Sequence, residues 1–191
     1  VSANLAYRVV PQSGPLPFAD ASFDVVLSFQ VIEHVSDTRA YLEEARRVLR
    51  PGGTLVLITP DRSRRLLPGQ KPWNRWHLRE YSLAALVAEV EPVLHIESGL
   101  RMGAPNHVAR HEMRRYLRTK WLTLPVTLPF LPERFRRWGL DAMHRLLGRR
   151  ARVSATEPAK RSVDYGFGEG DFIFAADAPN PMNLVLIARK A

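Results

Sequence analysis

Two runs of apolar residues, joined by a helical pattern, constrain the fold of this chain more than any other feature. Residues 23–29 (FDVVLSF) and 54–59 (TLVLIT) are almost continuously apolar and rich in Val, Leu, Ile and Phe. This composition is typical of strands buried on both faces of a parallel sheet. The sequence therefore predicts two neighbouring strands, connected by the segment between them.

The connecting segment has the periodicity of an amphipathic helix. Its charged residues fall on one face, and the apolar residues recur at helical spacing on the other, at Tyr41, Leu42, Ala45, Val48 and Leu49. Ser36 and Asp37 are suited to cap its N-terminus, and Pro51, Gly52 and Gly53 end it. Strand, helix and strand with short connections predict a right-handed parallel crossover.

The rest of the chain also contains patterns typical of strands and helices. The patterns predict a short β-rich run at 7–10, a helix capped by Ser82 and ended by Pro92, and a strand at 93–96. Two basic amphipathic helices follow, and they are predicted at 107–120 and 133–149. A last apolar strand at 183–188 completes the chain, which we expect to form one domain, 1–191.

Ligands of an open α/β sheet bind outside the carboxyl ends of its strands. That rule directs attention to residues 29–34, to residues 59–61 and to the polar, aromatic loop that runs on to Tyr81.

Three segments, in order, carry a resemblance to a known family. Residues 16–26 (LPFADASFDVV), 31–35 (VIEHV) and 49–55 (LRPGGTL) resemble the fourth strand, the following helix and the fifth strand of the class I S-adenosylmethionine-dependent methyltransferases. Residues 59–61 (TPD) and 77–82 (HLREYS) look like a subgroup that modifies small molecules, sugars or lipids. The spacing of the segments is also that of the family.

The resemblance implies an α/β, Rossmann-like, doubly wound and mostly parallel sheet with helices on both faces. It implies that the first strands of the family are lacking here, and that a basic helical insertion, 104–162, precedes the last strand. The glycine-rich loop that grips the cofactor in this family has no counterpart before Tyr7. A glycine-rich run at 163–170 imitates it, but it neither follows an apolar strand nor opens a helix.

The cofactor implied by the resemblance is S-adenosylmethionine. Gln12 and Ser13 stand where the family has an acidic and a small residue against the adenine, and the Gln12 amide oxygen could accept from the exocyclic amine. Phe29 stands where an apolar side chain packs beside the cofactor, and its alternative role is that of a core residue. Gln30, the next residue, completes the cofactor-binding candidates.

Methyl transfer requires a group that takes the proton of the acceptor, and His34 and His77 are the candidates for this catalytic base. An alternative for His34 is that it braces the following helix. Another alternative is a divalent metal site made of Glu33, His34 and His77, because this stretch is similar to ubiquinone-pathway O-methyltransferases and small-RNA 2′-O-methyltransferases that hold a metal there. Gln30 stands in place of their first Glu and is a poorer ligand.

Most of the net charge of +9 comes from one segment. Between Arg110 and Arg161 there are fourteen Lys and Arg residues against four Asp and Glu. A solvated helical face is the default interpretation. Peripheral membrane contact through 110–152, which would admit a lipid-linked acceptor, is the second, and nucleic-acid binding is the least favoured.

We therefore expect an enzyme, an S-adenosylmethionine-dependent methyltransferase that acts on the oxygen of a small molecule, sugar or lipid-linked acceptor. A noncatalytic fragment or binding module on a remnant of the same fold is the alternative, and a basic RNA-associated module is a third. The chain has no cysteine, which excludes disulfides, thiolate nucleophiles and cysteine-based zinc sites. This composition fits a cytoplasmic protein, with peripheral membrane association as an alternative.

Overall fold

A five-stranded mixed sheet organises the chain. The computed structural model describes residues 6–10, 14–151 and 168–191. Within them the strands are β1 (Phe23–Phe29), β2 (Leu49–Pro60), β3 (His95–Gly103), β4 (Ile173–Ala175) and β5 (Asn183–Arg189), arranged in the order β1-β2-β5-β3-β4. β1 and β2 pair in parallel, whereas the other three pairings are antiparallel. Consequently β1, β2 and β3 run in one direction, and β5 and β4 run against them.

Five α-helices accompany the sheet. They are α1 (Thr38–Val48), α2 (Arg62–Arg65), α3 (Leu83–Val90), α4 (Asn106–Thr123) and α5 (Glu133–Ala151). The N-caps of the first three are side chains that accept from backbone N–H groups, namely Asp37, Asp61 and Ser82. Of the two cap residues predicted for α1, the structure uses Asp37, whose carboxylate accepts from Ala40 N at 2.9 Å.

The main core lies between one face of the sheet and the helices α1 and α3. Its fully buried side chains include Leu55 and Leu57 of β2, Leu42 of α1 and Leu86 of α3, and Leu186 of β5. Leu55 and Leu57 are two positions apart in β2 because successive side chains of a strand point to opposite faces of the sheet. The parallel crossover from β1 through α1 to β2 is therefore confirmed, and with it the α/β class.

The prediction that residues 23–29 are buried on both faces is wrong for β1. Val26 and Ser28 point towards α1, but Val25, Leu27 and Phe29 are more than half exposed on the opposite face. Among the described strands β1 forms an edge of the sheet, and the described residues leave more than half of each of these three residues uncovered. A continuous apolar run indicates that both faces of the strand are apolar, but not that other elements pack on both of them.

Other boundaries also differ from the sequence predictions. Residues 7–10 are described as irregular and exposed rather than as a strand. Leu49, predicted as the end of the first helix, begins β2, which runs on through Gly52, where φ is +74°. β3 extends to Gly103 rather than ending near Ile96, and α2 lies within the segment predicted as a loop.

Contacts from both α4 and α5 attach the basic insertion to the rest of the fold. α4 contributes Ala109 and Tyr116 to a second cluster with Met182 and Trp73, at the carboxyl end of the sheet. α5 contributes Arg136, whose side chain is 1% exposed. The boundaries 104–162 and the single domain 1–191 stay predictions, since 152–167 lie outside the described residues.

Candidate functional site

Glu33 and His34 lie where β1 meets the carboxyl edge of the sheet. After Phe29 the backbone turns at Gln30, whose φ is +55°, and then forms one 3-10 turn, Ile32–His34. The turn buries Glu33 completely and leaves the His34 side chain 40% exposed. Leu78 N donates to Glu33 O at 2.8 Å, so the loop after β2 is hydrogen-bonded to this turn.

His77 is held in that loop by a buried network. Its Nδ1 lies 2.8 Å from Oε1 of Glu80. The Arg65 guanidinium donates to both oxygens of the same carboxylate, from Nε to Oε2 at 2.9 Å and from Nη2 to Oε1 at 3.0 Å. Burial acts to raise the pKa of Glu80, but the hydrogen bonds from His77 and Arg65 outweigh it and lower that pKa. Glu80 is therefore a carboxylate at neutral pH, and it fixes the ring of His77.

The hydrogen bonds also fix which ring nitrogens are available. Trp76 O, which can only accept, lies 3.0 Å from His34 Nδ1, and the Glu80 carboxylate lies beside His77 Nδ1. Both Nδ1 atoms must therefore carry the proton, and both Nε2 atoms are left as lone-pair acceptors in the neutral rings. The rings meet edge to face, with centroids 4.8 Å apart.

Glu33 has one oxygen without a partner. Its Oε2 accepts from the Thr59 hydroxyl at 2.8 Å, whereas the buried Oε1 has no hydrogen-bond partner and lies 3.9 Å from His34 Nε2. One possible ligand atom from each of Glu33, His34 and His77 lies within 4.8 Å of the other two. A buried lone carboxylate oxygen is costly unless a proton donor or a cation meets it, so the donor set fits a small cation.

Of the four residues predicted to bind the cofactor, the structure describes two. Gln12 and Ser13 lie outside the described residues. Phe29 ends β1 and is 57% exposed among the described residues, so its place beside the cofactor stays a prediction. Gln30 donates through Nε2 to Asn183 Oδ1 at 3.0 Å, and its backbone N–H donates to Ile58 O at 2.8 Å, so it ties three strand ends together.

Tyr81 closes the loop behind the histidines. It pairs with Asp61 through an isolated parallel bridge, and its side chain is buried in the main core. Burial raises its pKa to about 12, so the phenol stays protonated at neutral pH.

An open cavity of about 620 Å³ lies between α5 and residues 73–76, the segment that directly precedes His77. Loop residues 73–76 form one side and α5 the other, and the lining consists of Trp73, Asn74, Arg75, Trp76, Leu140, Asp141, His144 and Arg145. The sequence did not predict that α5 lines this cavity, because nothing in a basic amphipathic pattern shows which loop the helix will face. It also missed Glu80 as the partner of His77, although the spacing of three residues was a usable signal.

Sequence comparisons match the N-terminal part of the chain to known methyltransferases. The family model described as "Methyltransferase domain" matches residues 4–57. A protein of Mycolicibacterium smegmatis, named as a probable S-adenosylmethionine-dependent methyltransferase, is 47% identical over 77 residues, which are 40% of this chain and 30% of that protein. The ubiquinone biosynthesis O-methyltransferase of Cereibacter sphaeroides is 48% identical over 48 residues, 25% of this chain and 19% of its own length.

A solved structure has a similar course of the chain. A methyltransferase of Thermotoga maritima covers 92% of this chain and 60% of its own, with 15% identity and a TM-score of 0.47. The assignment rests on the sequence matches, each of which spans less than a third of the relative's length. Those matches support a class I S-adenosylmethionine-dependent methyltransferase as the family of the segment they cover.

Proposed function

We propose that this chain serves S-adenosylmethionine-dependent transfer of a methyl group to an oxygen of a small molecule, sugar or lipid-linked acceptor. The observation that carries the proposal is the pair His34 and His77, each fixed through Nδ1, beside the carboxyl ends of β1 and β2. The family of the chain supplies the reaction class. The cofactor, when bound, supplies an electrophilic methyl group.

His34 is the base in this proposal. Its side chain is 40% exposed, so its Nε2 can reach an acceptor hydroxyl, whereas the side chain of His77 is 6% exposed. As the hydroxyl oxygen attacks, Nε2 takes its proton, and the ring becomes an imidazolium beside the Glu33 carboxylate. His77 positions the His34 ring from behind through their edge-to-face contact.

A divalent ion is the second way in which the same three residues could act. Held by Glu33, His34 and His77, it would bind the acceptor oxygen and make its hydroxyl more acidic. The unpartnered Oε1 of Glu33 favours this mechanism, and so does the carboxylate behind His77, an arrangement common among metal-binding histidines. The relative named ubiquinone biosynthesis O-methyltransferase is, by that name, an enzyme that methylates an oxygen.

Peripheral contact with an anionic membrane is a further part of the proposal. No helix in the part of the chain that the structure describes is long and apolar enough to cross a bilayer. One face of α4, however, presents a stripe of exposed basic and apolar residues, namely Arg110, Arg114, Leu117, Arg118 and Trp121. Basic and apolar side chains on one helical face suit the interface of an anionic bilayer.

The test of the function is direct. We expect S-adenosylmethionine to bind saturably in calorimetry, and S-adenosylhomocysteine to be released only with hydroxylated acceptors. Replacing His34 by Gln should lower the rate about 100-fold or more without weakening cofactor binding. A folded chain that neither binds the cofactor nor releases product would reject the proposal and leave the noncatalytic binding module.

A further inference from the structure

The cavity between residues 73–76 and α5 combines aromatic walls with positive charge. The indole of Trp76 is 65% exposed although the Arg75 guanidinium covers it at 4.4 Å from the ring centroid. Trp73 stands beside it, with its own ring under Arg65 at 4.2 Å. Two indoles on one side of an open cavity offer flat apolar surface to a flat ligand.

The charges of the cavity do not balance. Arg75 forms an ion pair with Asp141, which neutralises the only acidic side chain in the lining. Arg145 forms no ion pair with any described residue. One guanidinium is therefore left to meet an anion, and Asn74 and His144 add polar groups beside it.

The cavity is built on a rigid support. The Arg136 guanidinium, buried beneath it, donates to the carbonyl oxygens of Pro72, Asn74 and His77, at 2.6, 3.1 and 3.2 Å. These bonds tie α5, which carries Arg145, to the loop that carries the tryptophans. The same loop reaches the catalytic candidates, because His34 Nδ1 donates to Trp76 O.

We infer that this cavity binds the acceptor, and that the acceptor is an aromatic compound with an anionic substituent, a carboxylate, phosphate or sulfate. Its ring lies against Trp76, its anion meets Arg145, and its hydroxyl is directed to the His34 side of the loop. That the ligand of this cavity is the methyl acceptor rests on the proposed function. The selectivity of the cavity for an aromatic anion does not.

Calorimetry with three naphthalene probes tests the inference: 2-naphthoate, its neutral counterpart 2-naphthylmethanol and the cation 2-naphthylmethylammonium. We expect 2-naphthoate to bind about tenfold more tightly than the neutral alcohol, as a partly exposed charge-assisted hydrogen bond predicts. The cation should bind more weakly than either. Equal affinity of the anion and the alcohol would overturn the inference.

Variants locate the binding. Arg145→Gln should lower the affinity for 2-naphthoate about five- to tenfold and leave the alcohol unchanged. Trp76→Ala should weaken both probes about fivefold or more. Arg134→Gln, on an exposed part of the same helix, is the matched control and should change neither by more than about twofold.

If Arg145→Gln and Arg134→Gln behave alike, or if Trp76→Ala has no effect, the anion binds elsewhere and the inference is wrong. Circular dichroism and melting of each variant show whether it is folded, and NMR chemical-shift changes at the Trp76 indole give a second measure of where 2-naphthoate binds. None of these probes needs the cofactor. Anion-selective binding without methyl transfer would therefore reject the proposed function and leave the inference about the cavity standing. Methyl transfer without anion-selective binding would reject the inference about the cavity and leave the proposed function standing.

Discussion

The Nε2 atom of His34 lies 3.9 Å from an oxygen of Glu33 that has no hydrogen-bond partner. A cation near them would also be close to His77, because one candidate ligand atom from each of Glu33, His34 and His77 lies within 4.8 Å of the other two. We therefore expect Mn²⁺ or Zn²⁺ to stabilise the protein: at 100 times the dissociation constant the gain is about 2.7 kcal/mol, visible as a rise in melting temperature. Glu33→Gln should weaken binding about tenfold or more.

His95→Ala is the control for this metal experiment, because His95 is an exposed histidine at the far end of β3. It should keep the whole metal-dependent rise. A melting temperature that does not respond to either ion, or a rise that Glu33→Gln leaves intact, would exclude the metal and leave His34 as an unaided base.

Glu80→Gln should cost about 3–5 kcal/mol of unfolding free energy at pH 7, because it leaves the buried Arg65 guanidinium without its counter-ion. The pKa of Glu80 is lowered in the folded protein, so its stabilising contribution is complete above the ordinary value of 4.5 and is lost as the pH falls below it. The difference between wild type and variant in urea unfolding should therefore shrink towards pH 3.

Glu43→Gln is the matched control for that experiment. Glu43 pairs with Arg39 on the exposed side of α1, and losing such a pair costs about 0.5 kcal/mol. Should Glu80→Gln cost no more than Glu43→Gln, the buried network does not stabilise the loop of His77.

Arg136→Met should destabilise the protein by about 3 kcal/mol or more, since it leaves the carbonyl oxygens of Pro72, Asn74 and His77 without their buried donor. The adjacent Arg137→Met removes only a half-exposed pair with Glu133 and should cost about 0.5 kcal/mol or less. Urea unfolding followed by circular dichroism measures both. Equal costs would contradict the anchoring role of Arg136.

Arg118→Glu should weaken binding to vesicles of phosphatidylglycerol and phosphatidylcholine about tenfold or more, because one positive charge near the bilayer is replaced by a negative one. Arg46→Glu, on the exposed face of α1, makes the same charge change away from α4 and should have a smaller effect. Co-sedimentation measures both variants. Similar losses would show that net charge, and not the face of α4, governs binding.

The sequence predicted the elements whose local signals agree with their surroundings. α3 is the clearest case, because Ser82 caps it, its buried Leu86 and Val90 follow the helical period, and the predicted and observed helices coincide. β2 was predicted in its apolar part only, since Pro51 and two glycines suggest a turn. The structure extends the strand through them, because the backbone of Gly52 and Gly53 hydrogen-bonds to Lys190, the residue that follows β5.

The sequence predicted the part of the site that lies in segments following the strand ends. Glu33 and His34 follow a strand, and His77 stands in an aromatic loop, so the rule for strand ends brings them together. Arg136 and Arg145 lie about 60 residues further along, in a basic pattern that is equally typical of a solvated face. Their roles depend on the packing of α5 against residues 72–77, which no local signal encodes.

The exposed side of β1 has a practical consequence for anyone who prepares this chain. Val25, Leu27 and Phe29 lie along a strand that, in the described structure, has a hydrogen-bonded neighbour on one side only. A strand edge beside exposed apolar side chains pairs readily with a further strand, from the same protein or from a second copy. Concentrated samples should accordingly bind hydrophobic dyes and associate, and a lysine at position 27 should keep them dispersed.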